Sequence, residues 1–110
     1  RNLALLYFRM ESNDAALREY LYALTLQPKD SEARNNVGLI YLKRDNLPAA
    51  GVQFRQALAD DANNVYALNN LGVTLERQGD VAGAKEQYQK ALAVDSNFEP
   101  ARKNLNRLGG

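Results

Sequence analysis

The sequence predicts an all-α fold, a right-handed solenoid of antiparallel helix pairs that ends in a capping helix. Three observations lead to this fold: columns of residues recur at a fixed spacing, short breaks rich in Asn and Asp divide each period in two, and the final period is a single polar helix. The clearest column is asparagine, spaced by thirty-four residues, at Asn2, Asn36, Asn70 and Asn104. A period of this length is typical of a two-helix unit whose apolar face is buried only by stacking on its neighbours.

Further columns keep the same spacing, so the period does not depend on asparagine alone. In the first half, apolar, small and tyrosine columns follow: Leu3, Val37, Leu71 and Leu105; Ala4, Gly38 and Gly72; Tyr7 and Tyr41, with Leu75 as the exception. In the second half, an alanine column precedes an aromatic column by four positions: Ala16, Ala50 and Ala84 before Tyr20, Phe54 and Tyr88. We expect Gly38 and Gly72 to admit the second helix of each pair at the points where Ala50 and Ala84 meet them.

Periodicity and chain breakers predict the elements in order. The expected helices span residues 1–10, 14–26, 31–44, 47–60, 65–78, 81–94 and 99–108. The breaks lie at 11–13, 45–46 and 79–80 within pairs and at 28–30, 61–64 and 95–97 between pairs, where Asn and Asp cap helices or tolerate left-handed turns. One domain is predicted, with a truncated first repeat (1–30), a second (31–64), a third (65–98) and a cap (99–110).

The two ends of the chain differ from the internal repeats. Asn106 replaces the small residue in the last helix, where no second helix follows, so we expect a polar cap that shields the final core. Arg1 begins about one turn inside the first helix and is not a methionine, so we expect a fragment of a longer array or a trimmed chain.

The columns resemble the tetratricopeptide repeat family across the whole chain. The residues that carry the resemblance most fully are Asn70, Leu71, Gly72, Gly79, Asp80, Ala84, Tyr88, Ala91 and Leu92. The sequence departs from the family pattern at Leu75, where tyrosine is usual, and a proline follows the second helix only at Pro28. The resemblance implies that the first helices line a concave groove whose side chains meet a ligand.

The groove face is predicted by removing the core residues of the first helices. Core contacts are assigned to Val37, Ile40, Tyr41, Leu71, Thr74 and Leu75. The opposite face is expected to be free: Glu32, Asn35, Asn36, Leu39, Leu42, Lys43, Tyr66, Asn69, Asn70, Val73, Glu76 and Arg77.

This face carries three chemical stripes. Asparagine carboxamides, which donate and accept hydrogen bonds together, match the backbone of an extended peptide. The apolar stripe contains Leu5, Leu39 and Val73, joined by Phe8 and Leu42; the basic stripe contains Arg9, Lys43 and Arg77, with Arg1 and Lys103 nearby. These five cations outnumber Glu32 and Glu76, so the groove is expected to be positive by about three charges. An extended peptide with apolar and acidic side chains is the predicted guest.

Each stripe also has a structural interpretation that the sequence leaves open. The asparagines can hydrogen-bond between adjacent repeats, the apolar residues can pack between neighbouring first helices, and the cations can stabilise the negative ends of those helices. The family's two-carboxylate clamp for chaperone peptide tails is not expected here. Leu5 stands where that clamp would need asparagine, and Tyr66 stands where it would need lysine.

Composition argues against catalysis and against several other classes of ligand. The chain has no His and no Cys, which removes the usual bases, nucleophiles and metal ligands, and Asp60-Asp61 is interpreted as a solvated turn. No glycine-rich phosphate loop is present, so we expect no cofactor and no small-molecule substrate. The longest apolar run, 3–8, is far shorter than the roughly twenty residues of a membrane helix. A soluble protein of the cytoplasm or bacterial periplasm is expected, and the compartment stays open.

Two functions compete with peptide binding. In the first, Leu6 and Tyr7 at the truncated end stack on another molecule and extend the solenoid as a homo-oligomer. In the second, the chain binds RNA, as related thirty-five-residue helical repeats do. The shorter period and the net charge of +1 argue against nucleic acid.

Overall fold

The computed structural model describes residues 13–110, which form six helices joined by short turns. The helices are α1 Asn13–Leu26, α2 Ser31–Lys43, α3 Leu47–Asp60, α4 Val65–Arg77, α5 Val81–Val94 and α6 Glu99–Arg107. Each of them begins and ends within one residue of its predicted bounds, and no strand occurs in this range. The predicted helix 1–10 lies outside the described residues, together with Leu5, Phe8, Arg9 and the end residues proposed for self-assembly.

The helices follow one another as a solenoid. Each helix packs on the next in chain order, and α2 also contacts α4 across the intervening α3. The first helices of successive pairs therefore lie side by side on one face of the described region, and the second helices lie behind them. This arrangement confirms the predicted all-α repeat fold.

Side chains at the breaks start the helices. Asp30, Asn46, Asn64 and Asp80 each accept a hydrogen bond from the backbone N–H three residues later, at 3.0, 3.4, 3.1 and 2.8 Å respectively. Such a cap contributes about 1 kcal/mol to helix stability. Phe98 precedes α6 without a side-chain cap.

The turns inside the two complete pairs need a left-handed backbone. Asp45 adopts φ 59° between α2 and α3, and Gly79 adopts φ 90° at the corresponding turn between α4 and α5. Asp is among the few side chains that enter this region at small cost, whereas Gly enters it freely. The sequence pattern therefore located both turns correctly.

The core is built where an aromatic ring from a second helix meets a glycine on the first. A Cβ atom placed on Gly38 would lie 2.5 Å from the ring of Phe54, and one placed on Gly72 would lie 2.5 Å from the ring of Tyr88. The expected partners, Ala50 and Ala84, are fully buried but are not the groups nearest to these glycines. The close approach is thus made by the ring four residues later, which corrects the predicted contact.

Candidate functional site

A groove of about 800 Å³ crosses the first helices of the solenoid and reaches the start of α6. The α2 side of the groove is formed by Glu32, Asn35, Asn36 and Leu39, whose spacing places them on one helical face. The α4 side is formed by Tyr66, Asn69 and Asn70, and the far end by Phe98 and Pro100. Seven of the twelve residues predicted for the free face of the first helices line this groove, and the other five do not.

Asparagine side chains that line this groove, Asn35, Asn69 and Asn70, take part in bonds that join successive repeats. Nδ2 of Asn70 donates to Oδ1 of Asn35 at 2.9 Å, and Nδ2 of Asn104 donates to Oδ1 of Asn69 at 3.0 Å. The same bond therefore forms twice, between α2 and α4 and between α4 and α6. The asparagine column has the inter-repeat role that the sequence left open, at least for Asn70 and Asn104.

This pairing corrects the predicted exposure of two asparagines. Asn35 and Asn69 were expected on the free face, but their exposed fractions are 6% and 9% because each accepts a bond from the next repeat. Both residues line the groove, and neither Nδ2 group donates a hydrogen bond to another of residues 13–110. Asn70 likewise keeps its Oδ1 atom available. The groove thus presents unused donors and an unused acceptor.

Asn36 differs from Asn70 although both belong to the repeating column. Its side chain is half-buried, lines the groove and makes no hydrogen bond within the described region. The amide pairs at Asn70 and Asn104 each join residues thirty-five positions apart, and the residue thirty-five positions before Asn36 in the sequence is arginine rather than asparagine. Asn36 therefore retains both its amide donor and its carbonyl acceptor.

The three described residues of the predicted apolar stripe, Leu39, Leu42 and Val73, all contact the core. Leu42 is only 7% exposed and packs with Phe54 and Leu71, so its placement on the free face was wrong. Its buried side chain fills the junction between the second and third repeats. Leu39 and Val73 are half-buried at the edge of the same cluster, and only Leu39 also lines the groove.

An aromatic pair forms one wall of the groove. The ring centroids of Tyr66 and Phe98 lie 5.3 Å apart with an angle of 87° between the planes, an edge-to-face contact that aromatic rings prefer. Phe98 is 9% exposed, whereas Tyr66 is 63% exposed. The contact holds Tyr66 in place while most of its side chain remains open to a ligand.

The charges of the groove differ from the prediction. Lys43 and Arg77 are the last residues of α2 and α4 and do not line the cavity, and Lys103 is exposed on α6. Arg77 donates from Nη1 to the backbone oxygen of Leu42 at 3.4 Å, as expected for a cation at a helix end. Among the described residues that line the cavity, only Glu32 and Asp61 are charged. The three described cations therefore do not make the cavity positive as expected, and Lys43 and Arg77 form a separate basic rim at the ends of α2 and α4; Arg1 and Arg9 lie outside the described residues.

Glu76, also expected on the free face, belongs to a polar network that holds α6. Its carboxylate accepts two bonds from the Arg107 guanidinium, each at 2.7 Å, and one from the Tyr88 hydroxyl at 2.9 Å. The bond from Arg107 is the main reason that the pKa of Glu76 lies below its ordinary value. Burial, reinforced by the bond to Glu76, raises the pKa of Tyr88.

Sequence reasoning missed this network, although a signal for it exists. Counting back thirty-four residues from Tyr88, Glu76 and Arg107 gives three apolar residues: Phe54, Leu42 and Val73. Three columns thus change from apolar to polar together. Such a joint change indicates side chains that contact one another.

The described residues offer little to other kinds of site. Within residues 13–110, no group of three or more metal-ligating side chains comes together. No helix in that range combines the length and apolar character needed to cross a bilayer.

Sequence models of one family match most of the chain. A tetratricopeptide repeat model matches residues 1–54, a TPR repeat model matches residues 38–79, and a further tetratricopeptide repeat model matches residues 65–98. These matches extend together from residue 1 to residue 98, and the chain belongs to the tetratricopeptide repeat family. Comparison with curated proteins gives no match.

Solved structures share the fold at low sequence identity. The first TPR of Spaghetti (RPAP3), bound to the HSP90 peptide SRMEEVD, has a TM-score of 0.94 and 18% identity, covering 99% of this chain and 86% of that one. The Arabidopsis OM64 TPR domain has a TM-score of 0.92 and 19% identity, covering 96% and 88%. The Sgt2 TPR domain from Aspergillus fumigatus has a TM-score of 0.92 and 20% identity, covering 99% and 74%. At these identities the likeness establishes the fold alone.

Proposed function

We propose that this chain is a non-catalytic interaction scaffold that binds an extended, partly apolar and acidic peptide in the groove across α2 and α4. The observation that carries the proposal is the set of unused amide groups in the groove. Asn35 and Asn69 offer Nδ2 donors there, and Asn70 offers an Oδ1 acceptor. An extended peptide has backbone C=O and N–H groups that fit these atoms irrespective of its side chains.

The apolar part of the guest has two contact surfaces. Leu39 lines the groove from α2, and the exposed Tyr66 ring stands opposite on α4. A rigid aromatic ring that is already held by a neighbour loses little conformational entropy on binding, so Tyr66 suits an anchoring role.

The acidic part of the guest would meet the basic rim at the other end of the same helices. Lys43 ends α2 and Arg77 ends α4, so two cations stand at equivalent points of adjacent repeats. A similar fold, that of the Spaghetti (RPAP3) domain, holds a peptide with three acidic residues, SRMEEVD. The likeness supports an acidic guest but does not extend to the clamp residues, because Tyr66 replaces the expected lysine.

Substitution of Asn36 tests the groove without disturbing the fold. Asn36→Ala removes an amide that has no partner in the described region, so stability should change by less than about 0.5 kcal/mol. Binding to peptides selected on an array should weaken roughly five- to tenfold, the equivalent of about one hydrogen bond. The measurement is fluorescence anisotropy, with circular dichroism to check helicity.

A matched control lies outside the groove. Asn106→Ala changes an exposed asparagine on α6 that does not line the cavity, and it should leave affinity unchanged. Equal binding by wild type, Asn36→Ala and a Lys43→Gln, Arg77→Gln double variant would rule out the groove and its rim as the binding site.

A further inference from the structure

We propose that one edge of the groove is a subsite for a cationic side chain of the bound peptide, formed by Tyr66, Asp61 and Glu32. Arginine is the side chain that fits it best. This inference rests on the proposed peptide-binding function. It adds recognition of a cationic side chain, whereas the basic rim recognises only acidic ones. The bound peptide would then carry both acidic and cationic side chains. Its acidic side chains would contact the basic rim, and its cationic side chain would contact Tyr66, Asp61 and Glu32.

Charge complementarity is the first argument. The described lining residues include two carboxylates, on Glu32 and Asp61, and no Lys or Arg. Asp61 is exposed and uses Oδ1 to accept the N–H of Asn63 at 3.0 Å, while Oδ2 makes no hydrogen bond to any described residue. A turn needs only that one acceptor, so the local role of Asp61 leaves its charge available to a ligand.

The aromatic ring that lines the same groove as these carboxylates is the second argument. A guanidinium stacks on a tyrosine face through cation–π attraction and can pair with a carboxylate through its planar fork. Tyr66 lies near the start of α4, five residues after Asp61, and its contact with Phe98 fixes the ring while 63% of the side chain is exposed. The edge therefore combines a fixed, open ring with two anionic groups.

The repeat geometry is the third argument. Glu32 and Tyr66 occupy equivalent positions, thirty-four residues apart, at the starts of the adjacent helices α2 and α4, and both line the groove. Lys43 and Arg77 stand at the ends of these same helices. Successive side chains of an extended peptide point to opposite sides. An acidic residue directed to the basic rim can thus have a cationic neighbour directed to the edge at Tyr66.

The test uses four synthetic twelve-residue peptides that share one sequence of alternating Leu and Glu on a neutral background. They differ only at one central position, which is Arg, Lys, Gln or Glu. Anisotropy titrations at low salt should rank affinity as Arg, Lys, Gln and Glu in descending order. The Arg peptide should bind roughly two- to fivefold tighter than the Gln peptide, the usual range for an exposed cation–π pair.

Two variants assign the preference to the proposed edge. Asp61→Asn keeps the Oδ1 acceptor of the turn and removes the charge, and Tyr66→Leu keeps an apolar group and removes the aromatic face. Each should lower the ratio of Arg to Gln affinity towards one. This ratio is the readout for both variants, because Tyr66→Leu should also weaken binding of the Gln peptide by removing the aromatic anchor. Asp95→Asn is the matched control. Asp95 lies thirty-four residues later, accepts from the Asn97 N–H at 3.0 Å and does not line the groove.

The outcomes separate this inference from the proposed function. If the Arg and Gln peptides bind the wild type equally, the cationic subsite is wrong and peptide binding stands. The subsite is also wrong if the preference for Arg survives in both variants, or disappears equally in Asp95→Asn. If none of the four peptides binds, both proposals fall together.

Discussion

The junction between the second and third repeats and the junction between the third repeat and the cap use the same positions with opposite chemistry. At the first junction Phe54 and Leu42 are buried and Val73 packs against them. At the second junction, thirty-four residues later, the polar network occupies those positions: Tyr88, Glu76 and Arg107. Both junctions keep the asparagine bond between successive repeats. The asparagine pair is therefore the same at both junctions. The three other positions differ together, since all three are apolar at the first junction and all three are polar at the second.

The comparison shows how one backbone arrangement supports two kinds of stabilisation. An apolar layer stabilises by burial, which responds little to pH or salt. The polar layer contains an ion pair whose Arg107 side chain is 53% exposed, so its contribution is screened by solvent and depends on protonation. The stability of the cap junction should consequently depend more on pH and salt than that of the junction between the second and third repeats.

Introducing a single charge into the apolar layer should produce the largest effect. Leu42→Glu places a carboxylate beside Phe54 without a counterion, and an unpaired buried charge destabilises by about 3–5 kcal/mol. Adding Phe54→Tyr and Val73→Arg recreates the composition of the cap junction and should recover much of this loss. Urea unfolding of the single and triple variants measures both changes. If the triple variant is no more stable than Leu42→Glu alone, the three polar residues of the cap junction cannot replace the three apolar residues at this junction.

Removing the shared amide bond should have an intermediate effect of similar size at both junctions. Asn70→Ala and Asn104→Ala each delete one inter-repeat hydrogen bond, which contributes about 1 kcal/mol. Asn36→Ala, in the same column but without such a bond, is the matched control for urea unfolding. If Asn36→Ala lowers the free energy of unfolding as much as the other two variants, the loss comes from replacing asparagine at this helix position and not from deleting the inter-repeat bond.

Acidification should give the smallest effect and only at the polar junction. Because the folded-state pKa of Glu76 is depressed, its contribution is present above the ordinary carboxyl pKa and is lost as pH falls through the folded value. Glu76→Gln should therefore be less stable than wild type at neutral pH, by under about 1 kcal/mol, and the difference should shrink as pH falls below the ordinary carboxyl pKa. The measurement is urea unfolding across a series of pH values from neutral to acid, with Asp95→Asn as a control. A difference that persists in acid would contradict the assignment.

Local features were the part of the molecule that the sequence predicted well. Helix periodicity, the caps at Asp30 and Asn64, and the left-handed turns at Asp45 and Gly79 each depend on residues close together in the chain. The buried position of Asn35 was missed because its partner, Asn70, belongs to the following repeat. Leu42 was missed because it packs both on Phe54 of its own repeat and on Leu71 of the following one. The contribution of Lys43 to the charge of the groove was misjudged for a different reason. Helical spacing places Lys43 on the same helix face as Asn36, but it does not show that the groove ends before the last residue of the helix.

The two asparagine bonds have one orientation. In both, the amide nitrogen of the later repeat donates to the amide oxygen of the earlier one, and Oδ1 of Asn104 also accepts from Nη2 of Arg107 at 3.2 Å, which fixes the orientation of the cap pair. The vacant Nδ2 donors of Asn35 and Asn69 recur one repeat apart, and the vacant Oδ1 acceptor of Asn70 lies in the same groove, so both kinds of group are available there as they are along the edge of a β-strand. A peptide bound in this groove would therefore bind with different affinity in its two orientations, because N-to-C and C-to-N directions present its backbone donors and acceptors to these amides in different order.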